Sequence, residues 1–371
     1  MLKITSSTIS ASILAIFLAV SALAPTQKTM AQLGDLGDLI VDEGRVDAQL
    51  LFSEYLKPFT NGFGAGVNSG WIDRARSHGL LGFHVKVNFS AAIVPDIDQS
   101  FLLDEIGLTR LQLADPNRPE TPTFSGSSSS DARLVLREQG LDLAEFTMPP
   151  GTGFGYIMTP MIQAGLGLPN DTDVMIRFVP PFSFLDYGEM YLYGIGVKHE
   201  LNQWLPGGAF LPLTFSVMAG YTSFGTSAGL RARPTDFDPQ NDLDPKNLGG
   251  PESDTWSGQE IQFSTDAWTA NLIVGKSIPM LSVYGGVGVE GSTTNVSVEG
   301  DFPYYEPVFH ESEYRRSLDA LTDPLEISFD GANRFRAMAG VRISLPLLTF
   351  NVDYTYADYS IVTAGIGVSL R

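Results

Sequence analysis

The 371-residue sequence contains no cysteine. That absence removes a disulfide framework, a thiolate metal site and a lipid-modified N-terminal cysteine. Beyond residue 31 the chain also lacks any run near the ~20 consecutive apolar residues that a membrane-spanning helix needs. Basic residues are scarce: 23 Lys and Arg face 42 Asp and Glu, for a formal charge of −19. This argues against nucleic acid as a partner, since phosphate binding needs a basic face. What the chain does have is 38 Gly and 11% aromatic residues, a mixture that suits strands and turns better than helices.

The first residues read as a leader. Lys3 precedes an apolar stretch from Ile9 to Leu23, too short for a stop-transfer helix and typical of an export signal. Ala22-Leu23-Ala24 has the small-x-small pattern, but Pro25 would obstruct cleavage there. Cleavage is therefore expected after Ala31, which makes residues 1–31 a signal peptide. An exported chain without membrane helices is periplasmic, secreted or an outer-membrane barrel, and strand patterning chooses among these.

In a lipid-exposed barrel, apolar outward residues alternate with polar or small inward ones. Phe83, Val85, Val87 and Phe89 alternate with His84, Lys86, Asn88 and Ser90. The same period runs through Val174–Phe178, Tyr191–Lys198, Leu213–Tyr221, Arg334–Ser344, Phe350–Tyr356 and Val362–Arg371. The fold class expected is all-β, a transmembrane antiparallel β-barrel over 58–371, with twelve strands and a range of ten to fourteen. Gly62–Trp71 and Phe101–Ala114 count among the twelve. Short connections at Pro95, Pro169-Asn170, Leu201–Phe210, Ser277–Pro279 and Pro346 alternate with long ones at Asp115–Thr152, Thr226–Ser257 and Gly300–Leu325. Short inner turns with long outer loops mark outer-membrane barrels. A change of phase between Phe263 and Trp268 predicts a bulge. Tyr187, Tyr191, Trp204, Tyr354, Tyr356 and Tyr359 are candidates for the interfacial aromatic belt. The last strand, with Thr363, Gly365, Val368 and Leu370, has the spacing read by barrel assembly machinery but lacks a terminal aromatic.

Residues 32–57 differ. Leu33, Leu36, Ile40, Leu50, Leu51 and Tyr55 sit at loosely helical spacing, with acidic residues between and Pro58 after. They predict an amphipathic helix ended by Pro58, placed on the periplasmic rim or as a plug in the lumen. Glycines at period two bear on that choice: Gly62/Gly64/Gly66, Gly165/Gly167, Gly194/Gly196 and Gly365/Gly367. Glycine inside a strand implies a close neighbour, and a helix laid on the inner wall would be one.

Tyr55-Leu56-x-Pro58, Gly62-x-Gly64-x-Gly66-x-Asn68-x-Gly70-Trp71, Gln163–Pro169 and Tyr193–His199 resemble an uncharacterised family of Gram-negative outer-membrane barrels. The resemblance covers most of the mature chain and implies a barrel with no known activity. A looser architectural likeness is to fatty-acid-type hydrophobic-compound channels, although their Asn-Pro-Ala hatch motif is absent.

No catalytic, cofactor-binding or metal constellation emerges, and no cofactor is expected. His199-Glu200 begins a His-Glu-x-x-His pattern, but Gln203 stands where the second His belongs. His78, beside Ser77 and expected in an outer turn, has no third group in sequence to complete a hydrolase triad. The acidic run Asp236–Asp254 is a solvated loop or a divalent bridge to lipopolysaccharide. Inward parity points to Lys86, Arg177, Lys198, Glu290, Arg334, Arg336, Arg342 and Asp353 as lumen-lining residues, with Asp173 beside them. Buried charges must be paired or hydrated. They form either a salt-bridged brace or a charged constriction in a solute path. The leading expectation is a narrow or gated channel for a small, hydrophobic or other solute, and not an enzyme. The alternative is a structural or adhesive barrel acting through its outer loops, with a barrel hydrolase third. The partners implied are outer-membrane lipid and lipopolysaccharide, the assembly machinery and an unnamed solute.

Overall fold

A computed structural model describes residues 45–138, 141–183, 189–230, 232–234 and 237–370. The expected leader with its cleavage site, residues 32–44 and Tyr187 lie outside the described residues. Ten strands close into one antiparallel ring. They are β1 (Phe83–Ile93), β2 (Tyr156–Leu168), β3 (Thr172–Ser183), β4 (Glu189–Glu200) and β5 (Thr214–Gly229), then β6 (Glu260–Ile278), β7 (Leu281–Glu299), β8 (Phe335–Ser344), β9 (Leu348–Tyr356) and β10 (Ile361–Leu370). Each pairs with its sequence neighbours, and β1 closes the ring on β10 from Phe83↔Leu370 to Ala92↔Ile361. Leu325–Asp330 adds an extra strand along the far half of β7. Among the described residues one α-helix, α1 (Arg45–Val67), precedes β1.

The twelve expected strands thus become ten. Phe101–Ala114 supplies only the short pieces Ser100–Leu102 and Leu111–Leu113 of a folded insertion between β1 and β2. Its apolar residues face no lipid: Leu103 and Leu111 bury against Leu51 of α1, Leu134 and Met148. The Pro95 connection, expected among the short turns, opens this insertion instead. Gly62–Trp71 is not a strand either, because α1 continues through it to Val67. Pro58 lies within the helix rather than ending it. It removes the N–H that Glu54 O would accept, but the helix is packed on both sides of that point and continues.

The remaining parity holds. One end of the ring carries the connections 169–171, 201–213, 279–280 and 345–347, and the other carries the three long ones, 94–155, 230–259 and 300–334, together with the short 357–360. Outward positions are apolar and exposed, as at Val85, Ile176, Ile195, Leu272, Val287 and Val352. Inward positions are polar or small, as at Asn88, Ser90, Thr265 and Thr363, all at 0% exposure. Among the described residues no helix is long and apolar enough to cross a membrane. The contiguous apolar surface belongs to the strands.

The expected bulge in β6 is absent. Its register with β5 and with β7 runs unbroken. Phe263 keeps inward parity because it has an apolar partner inside: its ring lies 5.4 Å from Phe59 and 5.5 Å from Phe63 of α1. Tyr359, assigned to the interfacial belt, is likewise inside at 1% exposure, donating its hydroxyl to Asp98 Oδ2 at 2.6 Å.

The helix is wedged between opposite walls. A Cβ on Gly62 would lie 2.7 Å from Ile157 Cγ1, and one on Gly66 would collide with Thr159, both on β2. A Cβ on Gly64 would collide with Ser292 on β7. Residues two apart on a helix differ by about 200°, so alternate glycines face opposite sides of the ring. The wall glycines make room mainly for the segment beyond the helix: the Trp71 ring fills the space that a Cβ on Gly196 or Gly220 would take. Gly62→Leu is expected to destabilise the folded barrel by about 1–3 kcal/mol through overpacking, whereas Gly79→Ala, with open space around it, leaves it unchanged. Thermal unfolding of the two variants in detergent checks this.

Candidate functional site

The polar interior surrounds the segment between α1 and β1. From Asn68 to Gly82 the chain has no regular secondary structure, yet Asn68, Ser69, Trp71, Asp73, Arg74 and His78 are buried. Backbone at such depth must find partners for its carbonyls. The wall supplies them. Arg177 on β3 donates to Val67 O and, at 2.6 Å, to Ser69 O. Arg336 on β8 donates to Asn68 O at 3.1 Å. Asn88 holds Gly70 O, Lys86 and Gln163 share Trp71 O, and Tyr284 donates to Ile72 O. Lys198 donates to Arg74 O and Arg76 O, and Ser216 to Ala75 O. Arg177 and Arg336 therefore meet the C-terminal end of α1, where the helix dipole favours cations. The Arg177 guanidinium also lies 3.7 Å from the centroid of the Trp71 ring.

The carboxylates complete the set. Asp73, on the threaded segment, takes Arg342 at 3.1 Å and Lys86 at 3.6 Å. Glu290 pairs with Arg336 at 2.8 Å and accepts from Asn333. Asp173 pairs with Lys198 and with His78 Nδ1, both at 3.1 Å. Asp353 accepts from the Tyr284 hydroxyl at 3.3 Å. Of the residues assigned to the lumen from sequence, Lys86, Arg177, Lys198, Glu290, Arg336, Arg342 and Asp353 lie buried in this network. Arg334 does not. It precedes the first residue of β8 and is exposed, so its inward parity has no wall to act on.

Sequence reasoning placed His78 in an outer turn. It lies instead inside the ring near the short-turn end, stacked on His84 with centroids 4.8 Å apart. Alternation placed Asn88 and Ser216 inward without giving them a role; Gln163 and Tyr284 stand at inward strand positions that parity would have found, and Asp73 lies on no strand. Ser77 Oγ and His78 Nε2 each lack a hydrogen-bond partner, so serine and histidine do not engage each other. His199 is occupied at both nitrogens, by Thr172 Oγ1 at 2.9 Å and by Trp204 Nε1 at 2.9 Å. Among the described residues no cluster of His, Asp and Glu could hold a metal ion. The acidic loop braces itself: Asp244 caps the N–H groups of Leu248 and Gly249, and Asp242 pairs with Arg316.

Asn68, Trp71, Asn271, Arg336, Met338 and Asp353 help enclose a void of about 10 Å³, enough for one water at most. At this level the plug fills the ring.

At the far end, α1 is tied to the β1–β2 insertion through Asp47. Its buried carboxylate accepts from Thr109 N, Thr109 Oγ1, Arg110 N and Leu111 N at 2.8–2.9 Å. Burial opposes the charge, but the three backbone N–H groups and the hydroxyl outweigh it and hold the carboxyl below its ordinary value of 3.8.

The sequence signature of one family covers residues 7–370. The chain belongs to DUF6588, a family of unknown function. No curated protein matches it. Among solved structures, the DUF6588 chain aligns with the attachment invasion locus protein Ail of Yersinia pestis at 10% identity, covering 78% of this chain and 100% of that one, with a TM-score of 0.24. The translocator domain of the autotransporter NalP from Neisseria meningitidis aligns at 10% identity over 88% and 98%, with a TM-score of 0.27. The toluene transporter TodX of Pseudomonas putida aligns at 8% over 83% and 98%, with a TM-score of 0.25. Likenesses this distant carry no functional weight for the family.

Two outcomes are expected. Arg336→Met leaves Glu290 buried and unpaired and costs about 3–5 kcal/mol, while the double variant with Glu290→Leu recovers part of that loss; denaturant midpoints for the four proteins of the cycle measure it. A carboxyl with a lowered folded pKa stabilises above its unfolded pKa and loses that contribution as pH falls through the folded one. Hydrogen-exchange protection at Thr109–Leu111 should therefore be full above about pH 4 and fall below it, and Asp47→Asn should remove that pH dependence.

Proposed function

We propose that this chain is an outer-membrane β-barrel with a resident plug, and that it passes a small anionic solute when the segment from Asn68 to His78 shifts. A closed antiparallel ring with an apolar outer belt and a polar interior is the arrangement that a β-protein needs to sit in a bilayer. The three longest connections, 94–155, 230–259 and 300–334, all lie at one end, which fits an outer face.

The observation that carries the channel reading is how the threaded segment is held. Its carbonyls are bonded by side chains, each of which water can replace, and no regular secondary structure locks it. Moving it aside would expose Lys86, Arg177, Lys198, Arg336 and Arg342 on a wall that carries only Asp173, Glu290 and Asp353 against them, a net positive lining that selects for anions. Planar-bilayer recording of the full chain tests this. Rare, discrete openings are expected, with a reversal potential in a KCl gradient that favours chloride. Trp71→Ala removes the Arg177 stacking contact, worth about 2 kcal/mol when desolvated, and should raise open probability at least about tenfold. Silence of both proteins, with the barrel folded, would count against conduction.

It would favour a second reading, a surface barrel acting through its loops. The hairpin of Asp301–His310 and Glu313–Thr322 motivates it. Near its tip Phe309 and Tyr314 pack edge to face while remaining 65% and 77% exposed.

A further inference from the structure

The polarity of α1 in the ring fixes which way the chain is threaded. Val67 meets Arg177 part-way along the lumen. Gly62 lies against Ile157 and Ala92, at the long-connection ends of β2 and β1. Leu51 packs on Leu103, Leu111, Leu134 and Met148 of the β1–β2 insertion, beyond the ring. Asp47 is bonded to Thr109–Leu111 of that insertion. Below the helix, Ser77 N donates to Glu200 Oε2, and Leu81 N donates to Gly167 O at the short-turn end. The chain therefore runs through the whole ring, from the long-connection end to the short-turn end, before β1 begins.

We infer that the first turn of α1 stands on the outer face of the membrane together with the long loops. This rests on the outer-membrane reading above. An exported chain starts in the periplasm, so this geometry requires the segment ahead of β1 to have crossed the ring, or the ring to have closed around it. The outer face would then be a composite surface, built from the start of α1, the folded β1–β2 insertion and the hairpin. Its partners are those of the cell exterior, and a periplasmic protein could not reach Val46.

The native chain has no cysteine, so a single introduced thiol reports on one place. Three variants suffice: Val46→Cys at the start of α1, Tyr314→Cys at the hairpin tip and Leu81→Cys at the short-turn end, positions 57%, 77% and 70% exposed. Each is treated with a membrane-impermeant maleimide on intact cells, then again after the outer membrane is permeabilised. Val46→Cys should label on intact cells as Tyr314→Cys does, while Leu81→Cys labels only after permeabilisation. If Val46→Cys instead behaves as Leu81→Cys does, the threading is wrong although the barrel stands. If Tyr314→Cys fails on intact cells, or Leu81→Cys succeeds there, the membrane reading itself fails. An epitope inserted between Gly44 and Arg45 and probed by antibody repeats the test without relying on one thiol's reactivity. Detection only in permeabilised cells overturns the inference.

Discussion

Between Val67 and Arg76 the main chain crosses the inside of a closed barrel without regular structure, and the wall around it carries buried cations. Each would be costly alone. An irregular backbone away from water leaves carbonyls without partners, and a buried guanidinium or ammonium without an acceptor is more costly still. Arg177, Arg336, Lys86 and Lys198 donate to carbonyls of the threaded chain, so each deficit answers the other. Asp73, Asp173 and Glu290 take up part of the remaining positive charge. The interior thus combines ion pairs with hydrogen bonds that its cations donate to the plug's own carbonyls.

The size of the ring follows from the same contents. Eight-stranded barrels are filled by their own side chains, whereas rings of sixteen or more leave an aqueous channel. Ten strands leave space for one helix, and only where both surfaces are pared down. Gly62 and Gly66 allow α1 to touch β2, Gly64 allows it to touch β7, and Gly196 and Gly220 admit the Trp71 ring. Towards β5 and β6 the helix presents bulk instead: Phe63 packs on Phe224 and Phe263, and Phe59, one turn earlier, on Phe124 and Phe263.

Much of this could be read from alternation. The strands β1, β3 to β5 and β8 to β10 carry visible alternation, and the inward charges named from it are buried, apart from Arg334. The failures share a physical origin. Alternation marks a boundary between two environments, and it cannot say what lies on the inner side. Gly62, Gly64 and Gly66 at period two suit a strand, but a helix pinched between facing walls gives nearly the same period. Phe263 looked out of phase because an apolar inward residue seemed misplaced until α1 stood opposite it. Phe101–Ala114 has strand composition because it builds a small core with Leu51, a long-range contact that no local pattern reveals. Asp73 could not be found at all, since it lies outside the alternating strands and one of its two partners, Arg342, stands 269 residues along the chain.

The seam of the ring has a consequence for how the molecule is made. The strand just after the plug, β1, pairs with the last, β10, so almost the whole chain must exist before the circle can shut. Pairings of such long sequence separation form slowly. Until then β1 and β10 present open edges, and the plug can be laid between them sideways. Once Phe83 faces Leu370 that route is gone, and the only exits are the two ends. A plug laid in before closure is therefore held as by a ratchet, since the pairing that shuts the seam also removes its sideways way out.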